Sequence, residues 1–477
     1  MEALAQWARA FEVPDIVDYQ DHLAFAPQFA AELHRRGQPD PDQFSMFPYP
    51  KDTGGVRWLG LCGLRDLVLM RTAAGEVART TEQVLLDRVH SSRLVRNPPA
   101  WRFRRGKKAH ERFRSAVLSH LQGDPRRPVL PMCVIDVRNY YESVPYELLE
   151  SELLALNCPG DCVAMLLGVL RRWASRDGLR GLPVGPEFAA VMGNAYLFKV
   201  DEALHREGID FERYMDDLVT FGAGRRGEEV LYLLDHQLME LQLLRSLPKT
   251  KLYENWFEAI DAVEDDLLVS LGWLAGRDVD RTRQAVRRAF DDHAWAPDGQ
   301  VRPKRLKWIL SYLRNRHDPY AALRLAGDVE LMNLEPAGAG AYLGKVGLND
   351  SRVVEGIMDA LEADPSDRTD ALDLHLLKAL QKKPWGRAEG RLFLRTAQGG
   401  RRSPIRAWAS LASQRTPEWL RDDAVDQALE ATDPLVQRAW IVSIARDAPG
   451  PGRRAALTHL RSRLPGMHFT TAWALAA

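Results

Sequence analysis

The four residues Tyr214-Met215-Asp216-Asp217 constrain this chain more than any other stretch. Phe211-Glu212-Arg213 leads in and Leu218-Val219-Thr220-Phe221-Gly222 follows. This pattern reads as a strand, a tight turn carrying two acids, and a second strand. A lone Asp-Asp pair on a turn is ordinary and is satisfied by water. Its meaning depends on whether a third acid is set against it.

Asp136 is that acid. Pro128-Val129-Leu130-Pro131-Met132-Cys133-Val134-Ile135 is a short apolar run, read as a buried strand, and Asp136 ends it. Neighbouring strands of one sheet would bring Asp136 opposite the hairpin. Two-metal phosphoryl transfer needs such carboxylates, which bridge two Mg²⁺ ions about 4 Å apart. One ion lowers the pKa of a primer 3′-hydroxyl and the other stabilises the leaving pyrophosphate.

The 477 residues allow about two to three domains with cores of their own. Net charge is +0, so total charge argues neither for nor against a polyanionic partner. Its distribution does: from Arg88 to Arg127 the chain carries Arg93, Arg96, Arg102, Arg104, Arg105, Lys107, Lys108, Arg112, Arg114 and Arg126, opposed by Glu111 and Asp124. Trp101 and Phe103 are interleaved with them, a composition suited to nucleic acid. Of the four cysteines, Cys62, Cys133, Cys158 and Cys162, the last two have a loose metal-like spacing, but no second Cys or His pair lies close in sequence, so no zinc site is expected, and so few cysteines suit a reducing cytoplasm. No apolar run approaches the roughly 18 residues of a membrane span, and Met1-Glu2-Ala3-Leu4 does not begin as a signal peptide does.

Three regions are expected: a helical region over 1–125, with a loop or hairpin at Phe47–Gly55; a mixed α/β region over 126–278; and an all-α region over 279–477. Helices are expected at Tyr146–Leu156, Val163–Trp173 and Val230–Leu244, and a strand or hairpin at Leu267–Leu274. Beyond Val279 strand signals vanish. Helices are expected at Arg302–Arg316, Arg352–Ala363, Ala371–Gln381, Pro404–Ser413 and Leu435–Arg446. Their spacing fits a HEAT-like solenoid or an irregular bundle, with Trp385, Trp408, Trp419, Trp440 and Trp473 as core residues.

In this order the motifs resemble reverse transcriptases over residues 48–275. Asp136 with Tyr141 is similar to the motif that pairs the first catalytic Asp with a bulky sugar gate. Gly181-Leu182-Pro183-Val184-Gly185-Pro186, followed by Gly193-Asn194, resembles the segment beside the incoming base and template. Tyr214-Met215-Asp216-Asp217 resembles the family signature, Lys249-Thr250-Lys251 its lysine motif, and Leu271-Gly272-Trp273 its primer-grip turn. Pro50-Lys51, Gly55 and Arg57-Trp58-Leu59-Gly60-Leu61 resemble the fingers of bacterial and intron-type enzymes. The chain departs from the family at Val184, where Gln is common, and at Phe188-Ala189-Ala190, where a Ser is usual.

The resemblance implies an α+β fold with a right-hand polymerase fingers–palm core, followed by the helical-repeat region. It implies an RNA-directed DNA polymerase with Asp136, Asp216 and Asp217 as catalytic metal ligands for Mg²⁺, with Mn²⁺ as the alternative. Tyr141, Lys51, Arg57, Gly185, Pro186, Asn194 and Lys249 would contact nucleotide or template. The partners implied are dNTPs, an RNA template or associated noncoding RNA with its DNA product, and a second copy through the helical region. The helical tail is most similar to bacterial defence-associated, abortive-infection-type enzymes, which implies antiphage defence. Two alternatives are a retron-like or intron-derived enzyme copying its own RNA, and a catalytically silent scaffold.

Overall fold

The computed structural model describes residues 13–36, 44–51, 55–95, 102–104, 106–122, 130–222, 225–263, 279–293, 302–381, 383–417 and 419–477. The expected strand at Leu267–Leu274, the Leu271-Gly272-Trp273 turn, Trp101 and Pro128-Val129 lie outside them. The fold is mixed α+β, with small sheets among many helices. Its contacts divide it into two compact units: a sheet unit of residues 37–46 and 59–269, and a helical unit of residues 1–36, 47–58 and 270–477.

Eight strands are described: β1 Ser45–Pro50, β2 Val56–Leu61, β3 Leu94–Val95, β4 Arg102–Phe103, β5 Met132–Ile135, β6 Asp210–Tyr214, β7 Asp217–Phe221 and β8 Lys251–Tyr253. The main sheet runs β6-β7-β5-β8, every neighbour antiparallel. The pairs β1-β2 and β3-β4 form two-stranded sheets. The β1-β2 pair is the hairpin expected at Phe47–Gly55, whereas β3-β4 interrupts the stretch expected to be helical and carries no turn signal in the sequence beyond Asn97-Pro98-Pro99.

Two layers of helix sandwich the main sheet. On one face the helix Gly106–Leu121 sets Val117 and Leu121 against Met132, Val219 and Phe221. Trp256 Nε1 closes its end by donating to the Leu121 carbonyl at 2.8 Å. On the other face Asn194 and Asp201, from the helices Glu187–Tyr196 and Phe198–Arg206, bond Arg213 of β6, and beyond them the helices Leu64–Thr81, Gly160–Asp177 and Glu187–Tyr196 form a core of their own around the fully buried Leu166, Leu167, Leu170 and Trp173. The expected helix at Val230–Leu244 spans Gly227–Glu240 instead. Gln242 takes a left-handed φ of 54° and ends it. The apolar residues beyond were spaced for a helix but run alongside β5's exit, where the Leu244 carbonyl accepts from Arg138 N at 2.8 Å.

The helical unit is a two-layered array. Pro336–Tyr342, Asp370–Leu380, Ser403–Ser413, Pro434–Ala445 and His468–Ala476 stack side by side as one layer. Arg387–Gln398, Arg421–Glu430 and Pro451–Arg463 each pack on the helix that follows. Successive first-layer helices from Asp370 to His468 begin 33, 31 and 34 residues apart. Asp433 and Thr369 cap two of them by accepting backbone N–H groups, and proline opens others at the position where no N–H is needed. The five expected helices lie within one residue of their expected ends. Trp408 and Trp440 are buried between layers.

One buried cation helps tie residues 13–36 to this array, beside the packing of His22, Phe25 and Phe29 on Phe469. Arg438 donates to Asp15 at 2.7 Å and to Asp21 at 2.9 and 3.0 Å, and Thr470 Oγ1 donates to Asp21 at 2.7 Å. Burial opposes the Arg438 charge, but the two carboxylates outweigh it and hold its pKa well above the usual range.

Candidate active site

The sheet register assembles the acids. Ile135 pairs with Leu218 across β5 and β7, and Tyr214 pairs with Asp217 across β6 and β7. Asp136, one residue past Ile135, and Asp217, one residue before Leu218, therefore leave the same end of adjacent strands. Asp216 sits in the two-residue turn beside them. The segment after the Gly227–Glu240 helix completes this end: Ser246 N donates to the Asp136 carbonyl at 2.7 Å, and a 3₁₀ turn, Leu247–Lys249, follows. Val134 pairs with Lys251, which brings Lys249 Nζ to 3.0 Å from Asp136 Oδ1.

Electrostatics at this end are crowded. Burial, then the charges of Asp217 and Asp136, push the Asp216 carboxyl from 3.8 up to about 7, against the Lys249 ammonium. Three like charges share one sheet end, and the cation among them, Lys249, is half exposed and tied to Asp136. Among the described residues, no three carboxylate, imidazole or thiol side chains already surround one point as metal ligands. The donor chemistry nevertheless fits a hard divalent cation, since all three groups are carboxylates and their mutual repulsion is what such an ion relieves.

The turn itself is unusual. A two-residue hairpin needs positive φ at its first position, a place usually filled by Gly or Asn. Here Met215 holds it at 55°. Its N–H is bonded by Ser91 Oγ at 2.9 Å, and its carbonyl accepts from Arg213 Nη1 at 2.8 Å. Arg213 is buried in β6 and donates to Asp201 at 2.7 and 2.5 Å and to Asn194 Oδ1 at 2.9 Å. Asn194 also accepts from Ser91 Oγ and donates to the Ser91 carbonyl, both at 3.1 Å. Burial opposes the Arg213 charge, but Asp201 outweighs it and raises its pKa.

Alternate residues of β6 serve the opposite face. Glu212 is buried between His90 at 2.6 Å and His120 at 3.0 Å. Burial would raise its pKa, but the hydrogen bonds from His120 and His90 lower it. Tyr214 lies against the basic helix, with its ring 5.3 Å from His110 and 6.1 Å from Phe113.

The remaining expected site residues divide into groups. Tyr141 is half-buried, and its hydroxyl donates to Met215 Sδ at 3.5 Å, so it joins the acid turn. Its carbonyl accepts from Leu182 N at 2.7 Å, and Gly181, at φ 57°, lets the loop come close, since a Cβ there would meet that carbonyl. Gly185 and Pro186 link this loop to the Glu187–Tyr196 helix; Gly185 takes φ 113° and Pro186 is the N-cap. Asn194 is buried beneath the turn rather than open to a ligand. Lys51 and Arg57 belong to the helical unit, on the β1-β2 hairpin, so the sheet unit that gathers the acids does not contain them.

Sequence reasoning did not single out Ser91, Asp201 or the role of Arg213. A signal was present for two of them. Arg213 alternates with Glu212 inside a strand, and Asp201 interrupts the apolar face made by Val200 and Leu204. A buried charge on each of two neighbouring elements implies a pair. No protein-family model matches the chain, and no curated protein is similar to it.

Proposed function

We propose that this chain is a metal-dependent nucleotidyltransferase of the reverse-transcriptase type, which extends DNA from dNTPs. One observation carries the reading: Asp136, Asp216 and Asp217 meet at one end of adjacent antiparallel strands, with Lys249 bonded to the first. These carboxylates would hold Mg²⁺ or Mn²⁺. When bound, such an ion activates a 3′-hydroxyl and neutralises charge on the phosphates.

The chain's own residues supply the rest. Tyr141 packs beside the sugar and excludes a 2′-hydroxyl; its contact with Met215 supports a ring held in place next to the acids. Lys249 donates a proton to the departing pyrophosphate, a role supported by its half-exposed ammonium at Asp136. Gly185 and Pro186 shape the loop beside the templating base. The exposed Lys107, Lys108 and Arg112, on the helix that touches Tyr214, suit a nucleic acid backbone.

The biological setting we infer is antiphage defence, with a noncoding RNA as template or with untemplated synthesis. The helical array suits a partner or a second copy of the chain. No helix among the described residues is long and apolar enough to cross a membrane. The test is incorporation of labelled dNTPs by purified protein with Mg²⁺ or Mn²⁺, followed by sequencing of product and copurifying nucleic acid. Incorporation supports the reading, and defined complementary RNA identifies a template. No incorporation with any of the four dNTPs, with or without added RNA, overturns it in favour of a silent scaffold.

A further inference from the structure

Met215 is held in a left-handed conformation that is strained for a non-glycine residue and persists only where its surroundings impose it. The surroundings here are specific. Ser91 Oγ bonds the turn's N–H, Arg213 bonds its carbonyl, and the Tyr141 hydroxyl bonds its sulfur. Ser91 and Arg213 are in turn joined through one side chain, Asn194, whose Oδ1 accepts from both. Asp201 fixes the guanidinium from behind with a two-point bond. Ser91, Asn194, Asp201 and Arg213 are all buried, so water does not compete for these bonds.

We propose that Ser91, Asn194, Arg213 and Asp201 form a cradle of positioning residues that fixes the acidic turn in its metal-receptive conformation. None of the four contacts substrate. They act through the Met215 backbone, which sets the direction in which Asp216 and Asp217 leave the strands. The proposal rests on the nucleotidyltransferase reading for its consequence, but the cradle itself is a property of the protein without ligand.

The geometry explains why an arginine occupies the middle of a buried strand. An apolar residue at position 213 would leave the Met215 carbonyl and Asp201 without the donors Arg213 supplies. Lysine would reach one of them but not both, because the fork of the guanidinium is what spans Asp201, Asn194 and the turn at once. It also explains why Asn194 is an amide. Its oxygen accepts from Ser91 and Arg213 while its nitrogen donates to the Ser91 carbonyl, a division that aspartate cannot make.

The test uses the full chain with ¹³C-methyl methionine. The variants are Ser91→Ala, which removes one bond to the turn, and Ser410→Ala, which removes a buried hydroxyl bond to the Ala407 carbonyl in the helical unit. The Met215 methyl resonance, assigned by Met215→Leu, is expected to shift or broaden in Ser91→Ala and to stay in place in Ser410→Ala. Mn²⁺ binding, read by electron paramagnetic resonance, should weaken roughly fivefold in Ser91→Ala, as expected for loss of a single hydrogen bond, and be unchanged in Ser410→Ala. Asn194→Asp should behave as Ser91→Ala does. A Met215 resonance identical in wild type and Ser91→Ala overturns the cradle, as does equal Mn²⁺ affinity in the two proteins. A shifted resonance in a protein that takes up no Mn²⁺ supports the cradle and counts against the nucleotidyltransferase reading alone.

Discussion

Replacing Asp216 by Asn should stabilise the metal-free protein, and by an amount that depends on pH. Burial, Asp217 and Asp136 raise this carboxyl from 3.8 to about 7 in the folded chain. Below about pH 4 it is neutral in both folded and unfolded states and contributes nothing to the difference. As pH rises towards 7 the unfolded chain releases the proton while the folded chain keeps it, so folding stability falls. Above 7 the loss is complete. A rise from 3.8 to about 7 corresponds to roughly 4 kcal/mol as an upper bound. Asp216 keeps some solvent contact, so about 2 kcal/mol is the working expectation. Asn cannot ionise, so Asp216→Asn avoids this loss. In EDTA, the two proteins should melt together near pH 4. Near pH 8 the variant's sheet unit should melt about 4–8 °C higher, given some 2–4 °C per kcal/mol for a unit of this size. Calorimetry at pH 4, 6 and 8 checks it. A gap between the two proteins that stays constant across pH would refute the claim that Asp216 is electrostatically crowded.

Three further outcomes are expected. Arg213→Leu leaves Asp201 buried and unpaired and should cost about 3–5 kcal/mol in urea unfolding, with Arg213→Leu/Asp201→Leu recovering part of that; equal losses in the single and double variants would contradict it. Arg438→Met strands Asp15 and Asp21 in the helical unit and should cost a similar amount, about 3–5 kcal/mol. Burial opposes the Asp21 charge, but Arg438, helped by His22, outweighs it and holds the carboxyl well below the usual carboxylate range, so its contribution is present above about pH 4 and fades as acid protonates it, and the Arg438→Met deficit should shrink at low pH. Tyr141→Ala should admit ribonucleotides that the wild type rejects, read as the ratio of rNTP to dNTP incorporation; unchanged selectivity would remove Tyr141 from the sugar site.

Much of this was legible in the chain. Strand pattern alone located the hairpin at β6-β7, because Phe211, Leu218, Val219 and Phe221, all buried in the sheet, flank a short turn that carries the acids. Asp136 was legible because a short apolar run ending in an acid is a buried strand reaching its end. The helices of the array were legible from caps and proline starts, which are local signals. What escaped was long-range. Gln242 ended a helix whose apolar spacing continued, because pairing beside β5 outcompeted helical propensity. The β3-β4 pair was invisible because two residues per strand are too few to show a period. Asn194 looked like a ligand contact because its motif points to one, yet its amide is spent on Ser91 and Arg213, contacts made across 103 and 19 residues of sequence.

The central claim is that Asp136, Asp216 and Asp217 form one catalytic centre. Its most direct test is labelled dNTP incorporation with Mg²⁺ by wild type, Asp136→Asn and Asp216→Ala/Asp217→Ala, each first shown folded by circular dichroism. Incorporation by the wild type and a loss of about a thousandfold or more in both variants is expected. Incorporation by either variant at the wild-type rate would contradict the account.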